Sequence, residues 1–127
     1  MPSAPRRPTE AELAILHVLW DHGPQSVRDI QRVMNETRAT GYTTVLKLLQ
    51  IMTTKGLVDR DDSVRPQVYR AHLSRQRTQR QLLRDLTDRA FGGSVKSLVM
   101  QAVAGKRSTP DELTALEKLL DRFEKES

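Results

Sequence analysis

Tyr42-Thr-Thr-Val-Leu-Lys-Leu-Leu-Gln-Ile-Met-Thr-Thr-Lys-Gly56 is the stretch that decides the fold of this chain. Val45, Leu48, Leu49 and Met52 recur at i, i+3, i+4 and i+7, the spacing that places them on one face of an α-helix and against a core. The opposite face carries Thr43, Leu46, Lys47, Gln50 and Thr54, small or polar side chains apart from Leu46. Lys55-Gly56 closes the helix with a cation at its carbonyl end and a glycine able to take a left-handed turn. No acidic residue occurs between Glu36 and Asp59, while Arg38, Lys47 and Lys55 do, so the segment is a local positive strip. A helix packed on one side and acid-free on the other suits a polyanion.

Upstream, Thr9-Glu-Ala-Glu12 has the pattern of a capping box, in which a hydroxyl and a carboxylate each satisfy an N–H at a helix start. Leu13, Leu16, Val18, Leu19 and Trp20 follow, and Gly23-Pro24 stops the run, which defines a first helix. Ser26 is a second N-cap, with Asp29 three residues on. Val27, Ile30, Val33 and Met34 are its predicted buried residues, and the helix is expected to end near Glu36. Thr37-Arg-Ala-Thr-Gly41 links it to the third helix. Downstream, Leu57-Val-Asp-Arg60 and Gln67-Val-Tyr-Arg-Ala71 have strand character, and Asp61-Asp-Ser-Val-Arg-Pro66 between them is turn chemistry. Three helices and then a hairpin, within about 65 residues, are the order of a winged helix-turn-helix, whose third helix enters the DNA major groove.

Beyond His72 only helical patterns remain. Leu73-Ser74 opens a long basic helix with Leu82, Leu83, Leu86 and Ala90 in a stripe, ended by Phe91-Gly92-Gly93. A helix from Ser94 carries Leu98, Val99 and Val103, and another starts at Thr109-Pro-Asp-Glu112, where an N-cap, a first-turn proline and a capping-box Glu coincide. Its apolar face is Leu113, Leu116, Leu119, Leu120 and Phe123. Five large apolar side chains on one short helix are too many to leave in water, so they are expected to pack on the preceding helix and on a second subunit. The predicted class is therefore mainly α with a small β-hairpin wing, divided into a disordered arm (1–8), a winged-helix DNA-binding domain (9–73) and a helical dimerisation domain (74–127).

The totals agree with that division. A chain of 127 residues holds one reading domain and a smaller element, and falls short of two ordinary domains. Its net charge of +5 is uneven: residues 74–107 hold eight Lys or Arg against two acids, whereas residues 108–127 hold three against six. The absence of cysteine removes disulfides and thiolate metal sites. No run reaches the roughly 20 apolar residues of a membrane span, and the first eight residues have no signal-peptide core, so a cytoplasmic protein is expected.

Sequence-specific DNA reading needs donors near phosphates at a helix start and longer side chains one turn on. Tyr42, Thr43 and Thr44, followed by Lys47 and Gln50, supply these: hydroxyls for phosphate, methyls for thymine, an ammonium for guanine or phosphate and an amide for adenine. Alternatively, Thr43 and Thr44 serve as helix caps and Lys47 as a solvated charge. Arg65 at the hairpin tip is either a wing contact to DNA or an ordinary solvated turn residue. Arg75, Arg77, Arg80 and Arg84 are either a solubilising face or a reach to flanking backbone. His17, His22 and His72 lack ligand spacing, and Asp61-Asp62-Ser63 lacks the spacing of a calcium loop, so no metal and no cofactor are expected. Neither a nucleophile elbow, a phosphate-binding glycine loop nor a catalytic carboxylate pair is present, so no enzyme is expected. The rival function is a winged-helix protein-interaction module that does not bind DNA. It calls for an acidic or apolar third-helix face.

Residues 43–60, with Glu12 to Trp20 and Gln25-Ser-Val-Arg-Asp-Ile30, resemble the BlaI/MecI penicillinase-repressor family of bacterial transcription regulators. The likeness covers nearly the whole chain, including Tyr69 and Ser94 to Val103. It implies a homodimer that binds palindromic operator DNA and represses transcription, with Thr43, Thr44 and Lys47 in the DNA-contacting part of the third helix and β-lactam or stress-response genes as targets. In resistance members a membrane sensor protease cuts an Asn-Phe bond in the dimerisation region; Gln101 and Ala102 stand at the matching position and are the candidate cleavage pair. The chain departs from the family at Ile51, often Arg there, and at Arg65-Pro66, usually Gly-Arg, which implies a different operator sequence. It also lacks the cysteine cluster of the related copper-responsive repressors.

Overall fold

The computed structural model describes residues 7–104 and 108–126. The expected arm falls largely on residues 1–6, outside the described part. The chain divides into two compact units, the first ending at Thr78 and the second beginning at Gln79.

In the first unit the Thr9 hydroxyl accepts the Glu12 N–H at 3.2 Å while the Glu12 carboxylate accepts the Thr9 N–H at 2.9 Å, completing the capping box that starts α1 (Glu10–His22). Ser26 caps α2 (Val27–Met34) by accepting the Asp29 N–H. The helix stops at Met34, two residues short of the expected end at Glu36. There the Asn35 side chain accepts the Thr40 N–H and Gln31 donates to the Thr40 carbonyl, folding residues 35–41 into the link to α3 (Tyr42–Lys55). Gly56, at φ 82°, ends α3 in the left-handed conformation that a residue without Cβ adopts at little cost.

The wing follows as β1 (Val58–Asp61) and β2 (Val68–Ala71), antiparallel, with Val58 opposite Ala71 and Arg60 opposite Tyr69. A pairing with no sequence signature joins them: Gln25, in the link between α1 and α2, exchanges both backbone hydrogen bonds with Tyr69, at 3.0 and 2.8 Å. Tyr69 is thereby fixed, 2% exposed, among the apolar faces of the three helices. The core around it is Ile15, Leu16, Val18, Leu19, Val27, Ile30, Val45, Leu49, Met52, Leu57 and Val58. Val33, Met34 and Leu48 are half-buried at its edge, and so is Leu46, which the helical pattern had assigned to the open face.

Ser74 starts α4 (Arg75–Ala90) by accepting the Arg77 N–H, and Gly92 and Gly93, both at positive φ, end it. The boundary between the two units falls within this helix. In the second unit α5 (Val95–Ala104) packs against α6 (Pro110–Glu126), whose start is the capping box between Thr109 and Glu112. Lys96 of α5 ties to α6 through Asp121 at 2.7 Å and Glu117 at 3.8 Å. These carboxylates hold the Lys96 pKa above its usual value, the Asp121 hydrogen bond most strongly. Among the described residues no helix is long and apolar enough to cross a membrane.

Candidate nucleic-acid interface

The interface begins with which side of α3 the core leaves open. Val45, Leu49 and Met52 are fully buried, and their burial turns Thr43, Lys47, Gln50 and Thr54 outward, all exposed. Tyr42, Thr44 and Ile51 are exposed along its margins. The N-cap is Gly41, which has no side chain to offer, so Thr43 and Thr44 are not capping residues, while Lys47 is exposed to solvent as the same alternative expected. The hydroxyls of Thr53 and Thr54 turn back to the carbonyls of Leu49 and Gln50 and are occupied. Those of Thr43 and Thr44 have no partner among the described residues, which leaves them available to an external acceptor.

Charge on this surface depends on which cations are already paired. Lys47 and Arg38 are exposed with no carboxylate partner among the described residues. Lys55, counted with them in the sequence strip, belongs elsewhere: its Nζ lies 2.6 Å from Glu12 and its side chain is only 14% exposed. The replacement comes from α2. Arg28 places its guanidinium 5.8 Å from the centre of the Tyr42 ring, beside the start of α3. Sequence reading passed over Arg28 because nothing in the spacing of α2 shows that residue 28 meets residue 42.

The wing is less basic than its composition suggests. Arg60 pairs with Asp62, and Arg70 and His72 with Asp59. Asp61 accepts the Ser63 hydroxyl and N–H, the geometry of a turn, and those bonds hold its pKa below the usual range. Arg65 is exposed at the tip with no acidic partner among the described residues, so it alone extends the wing's positive charge outward. Below, Trp20 Nε1 donates to the Leu73 carbonyl at 3.0 Å, and Arg75 both pairs with Asp21 and stacks over Trp20. Arg75 is therefore spoken for, whereas Arg77, Arg80 and Arg84 have no ion-pair partner among the described residues.

Three helices and a hairpin in this order, with one side of the third helix open, are the arrangement of a winged helix. The sequence pattern of penicillinase repressors matches residues 8–122. The chain belongs to the penicillinase-repressor family. Members are regulators rather than enzymes, and membership points to a transcriptional repressor. No curated protein matches the chain.

Of the residues expected to join two repressor subunits, Leu98, Val99, Val103, Leu113 and Leu116 are half-buried, Leu120 is buried, and Leu119 and Phe123 are exposed. Gln101 and Ala102 are both exposed and lie inside α5, so a protease acting there requires local unwinding of that helix. Among the described residues no group of three His, Cys, Asp or Glu side chains stands ready to hold a metal.

Proposed function

We propose that this chain is a homodimeric transcriptional repressor, working in the cytoplasm, that lays α3 in the major groove of a palindromic operator. Thr43, Lys47 and Gln50 face base edges, Tyr42, Thr44 and Arg28 hold the phosphates at the start of α3, and Arg65 reaches the backbone or minor groove from the wing. The single observation that carries this assignment is the exposed, acid-free face of α3 set over a fully buried opposite face. An interaction module would need that face acidic or apolar.

The apolar faces of α5 and α6 join two copies. Linking two weak heads makes the second contact intramolecular and adds about 10²-fold in affinity. Half-sites then lie about one helical turn apart.

Fluorescence anisotropy on duplexes from the gene's own promoter tests this. With roughly 6–10 phosphate contacts per dimer, affinity falls about 10³-fold between 50 and 200 mM salt. Binding that ignores salt, or that does not distinguish the promoter from scrambled DNA, removes the assignment.

A further inference from the structure

Lys55 is the one cation of the α3 strip that is withdrawn from solvent, and its partner is unusual in being almost wholly buried. The Glu12 side chain is 3% exposed, and its Oε1 receives both the Lys55 ammonium at 2.6 Å and the Thr9 N–H at 2.9 Å. Burial works to raise the Glu12 pKa, but Lys55 and Thr9 outweigh it and hold the carboxyl below its ordinary value, so Glu12 is a carboxylate at neutral pH. Glu12 is thus fixed in the first turn of α1 by the capping box and grips the last turn of α3, 43 residues away.

Lys55 lies in line with Leu48 and Thr44, at i+7 and i+11, on one side of α3. The attraction between apolar side chains along that helix is non-directional. A charged hydrogen bond is short and directional, so it adds an angular constraint that apolar contact does not. The other end of α3 starts at Gly41 without a side-chain cap and is tethered through neutral hydrogen bonds of Gln31 and Asn35 to Thr40, so Lys55 makes the one ion pair on α3 among the described residues. Thr43 stands twelve residues away, about 18 Å along the axis. A tilt of about 5° at Lys55 therefore moves it by roughly 1.5 Å, enough to break a hydrogen bond to a base.

We propose that Glu12, acting through Lys55, is a positioning residue for the recognition helix: the buried pair sets the angle at which α3 presents Thr43, Lys47 and Gln50, and Lys55 itself does not touch DNA. This role rests on α3 facing DNA, as assigned above. It also fits the general behaviour of buried ion pairs, which add little net stability.

The test compares wild type with E12Q, K55M and K55R on operator and scrambled duplexes over a salt series. E12Q keeps the capping box, since Gln serves in it as Glu does. K55M keeps the buried stem and leaves Glu12 in place. Both are expected to lose about tenfold in operator affinity, the scale of one lost base contact, with scrambled-DNA affinity and salt slope unchanged. K55R is expected to restore operator affinity. Thermal melts confirm folding, and if E12Q melts below the assay temperature, K55M carries the comparison.

A salt slope reduced by about one per subunit in K55M, with both duplexes weakened alike, makes Lys55 a phosphate contact and overturns the proposal. Full discrimination in E12Q and K55M, with only the melting temperature lowered, also overturns it, leaving the pair a structural support. A wild-type protein without operator preference fails earlier, by sinking the DNA assignment itself.

Discussion

The two units of this chain solve the same problem in opposite ways. The first buries twelve apolar residues from three helices and a hairpin in one cluster, nine of them between 0 and 3% exposed, and leaves Thr43, Lys47 and Gln50 of α3 in solvent. In the second, Leu120 at 8% exposure is the only buried apolar side chain among the described residues, while Leu83, Leu86, Val95, Leu119 and Phe123 are all exposed, Phe123 by 62%. A unit that closes its own core does not need a partner to bury it. Large apolar side chains left in water, as on the second unit, are what the proposed second copy would cover.

The contrast can be broken most directly in the first core. Leu49→Ala removes a fully buried side chain and is expected to cost about 2–5 kcal/mol in urea denaturation, whereas Phe123→Ala in dilute protein should change stability by about 0.5 kcal/mol or less. Equal costs would mean that the second unit has a core of its own. Next in size is Leu116→Asp. A charge on the α6 apolar face should give a folded monomer whose operator affinity is down about 10²-fold, and sedimentation velocity reads the change directly. A persistent dimer would show that the subunits join elsewhere.

Smaller is Trp20→Phe, which deletes the hydrogen bond to the Leu73 carbonyl, inside the first unit and just before α4. About 1 kcal/mol should be lost from the first unit while the sedimentation behaviour stays the same. Smallest is the acid response. Because the Glu12 pKa is lower folded than unfolded, its contribution is fully present above the ordinary Glu range and disappears as pH falls through the lower folded value. E12Q should flatten the acid limb of the first unit's unfolding, followed by Tyr69 and Trp20 signals, and an unchanged limb would show that other carboxylates dominate.

Much of this was legible along the chain. Thr9 with Glu12 and Thr109 with Glu112 announced two helix starts three residues at a time, and both capping boxes form. Val45, Leu49 and Met52 fixed the inward face of α3 by spacing alone, and the Asp61 turn separated two strands as its chemistry predicts. Leu46 was misplaced for an identifiable reason: a binary helical pattern assigns the margin of a face by neighbours on the helix, while packing from other elements decides whether that margin is covered. Arg28 has no assignment from spacing, and Lys55 is counted with the open strip. Contacts to Tyr42 and Glu12 that no local spacing encodes put the first beside the start of α3 and withdraw the second from its open face.

By itself the sequence determined which elements form, in what order, and which face of each seeks a core, because caps, turns and periodicity act within a few residues. It also determined that the outer face of α3 is free of acid. Only the tertiary structure decided which charges remain available, that Gln25 bridges to Tyr69, that Trp20 holds Leu73, and that Lys55 is pinned by Glu12. Those outcomes depend on residues tens of positions apart meeting at hydrogen-bonding distance, and folding alone brings them there.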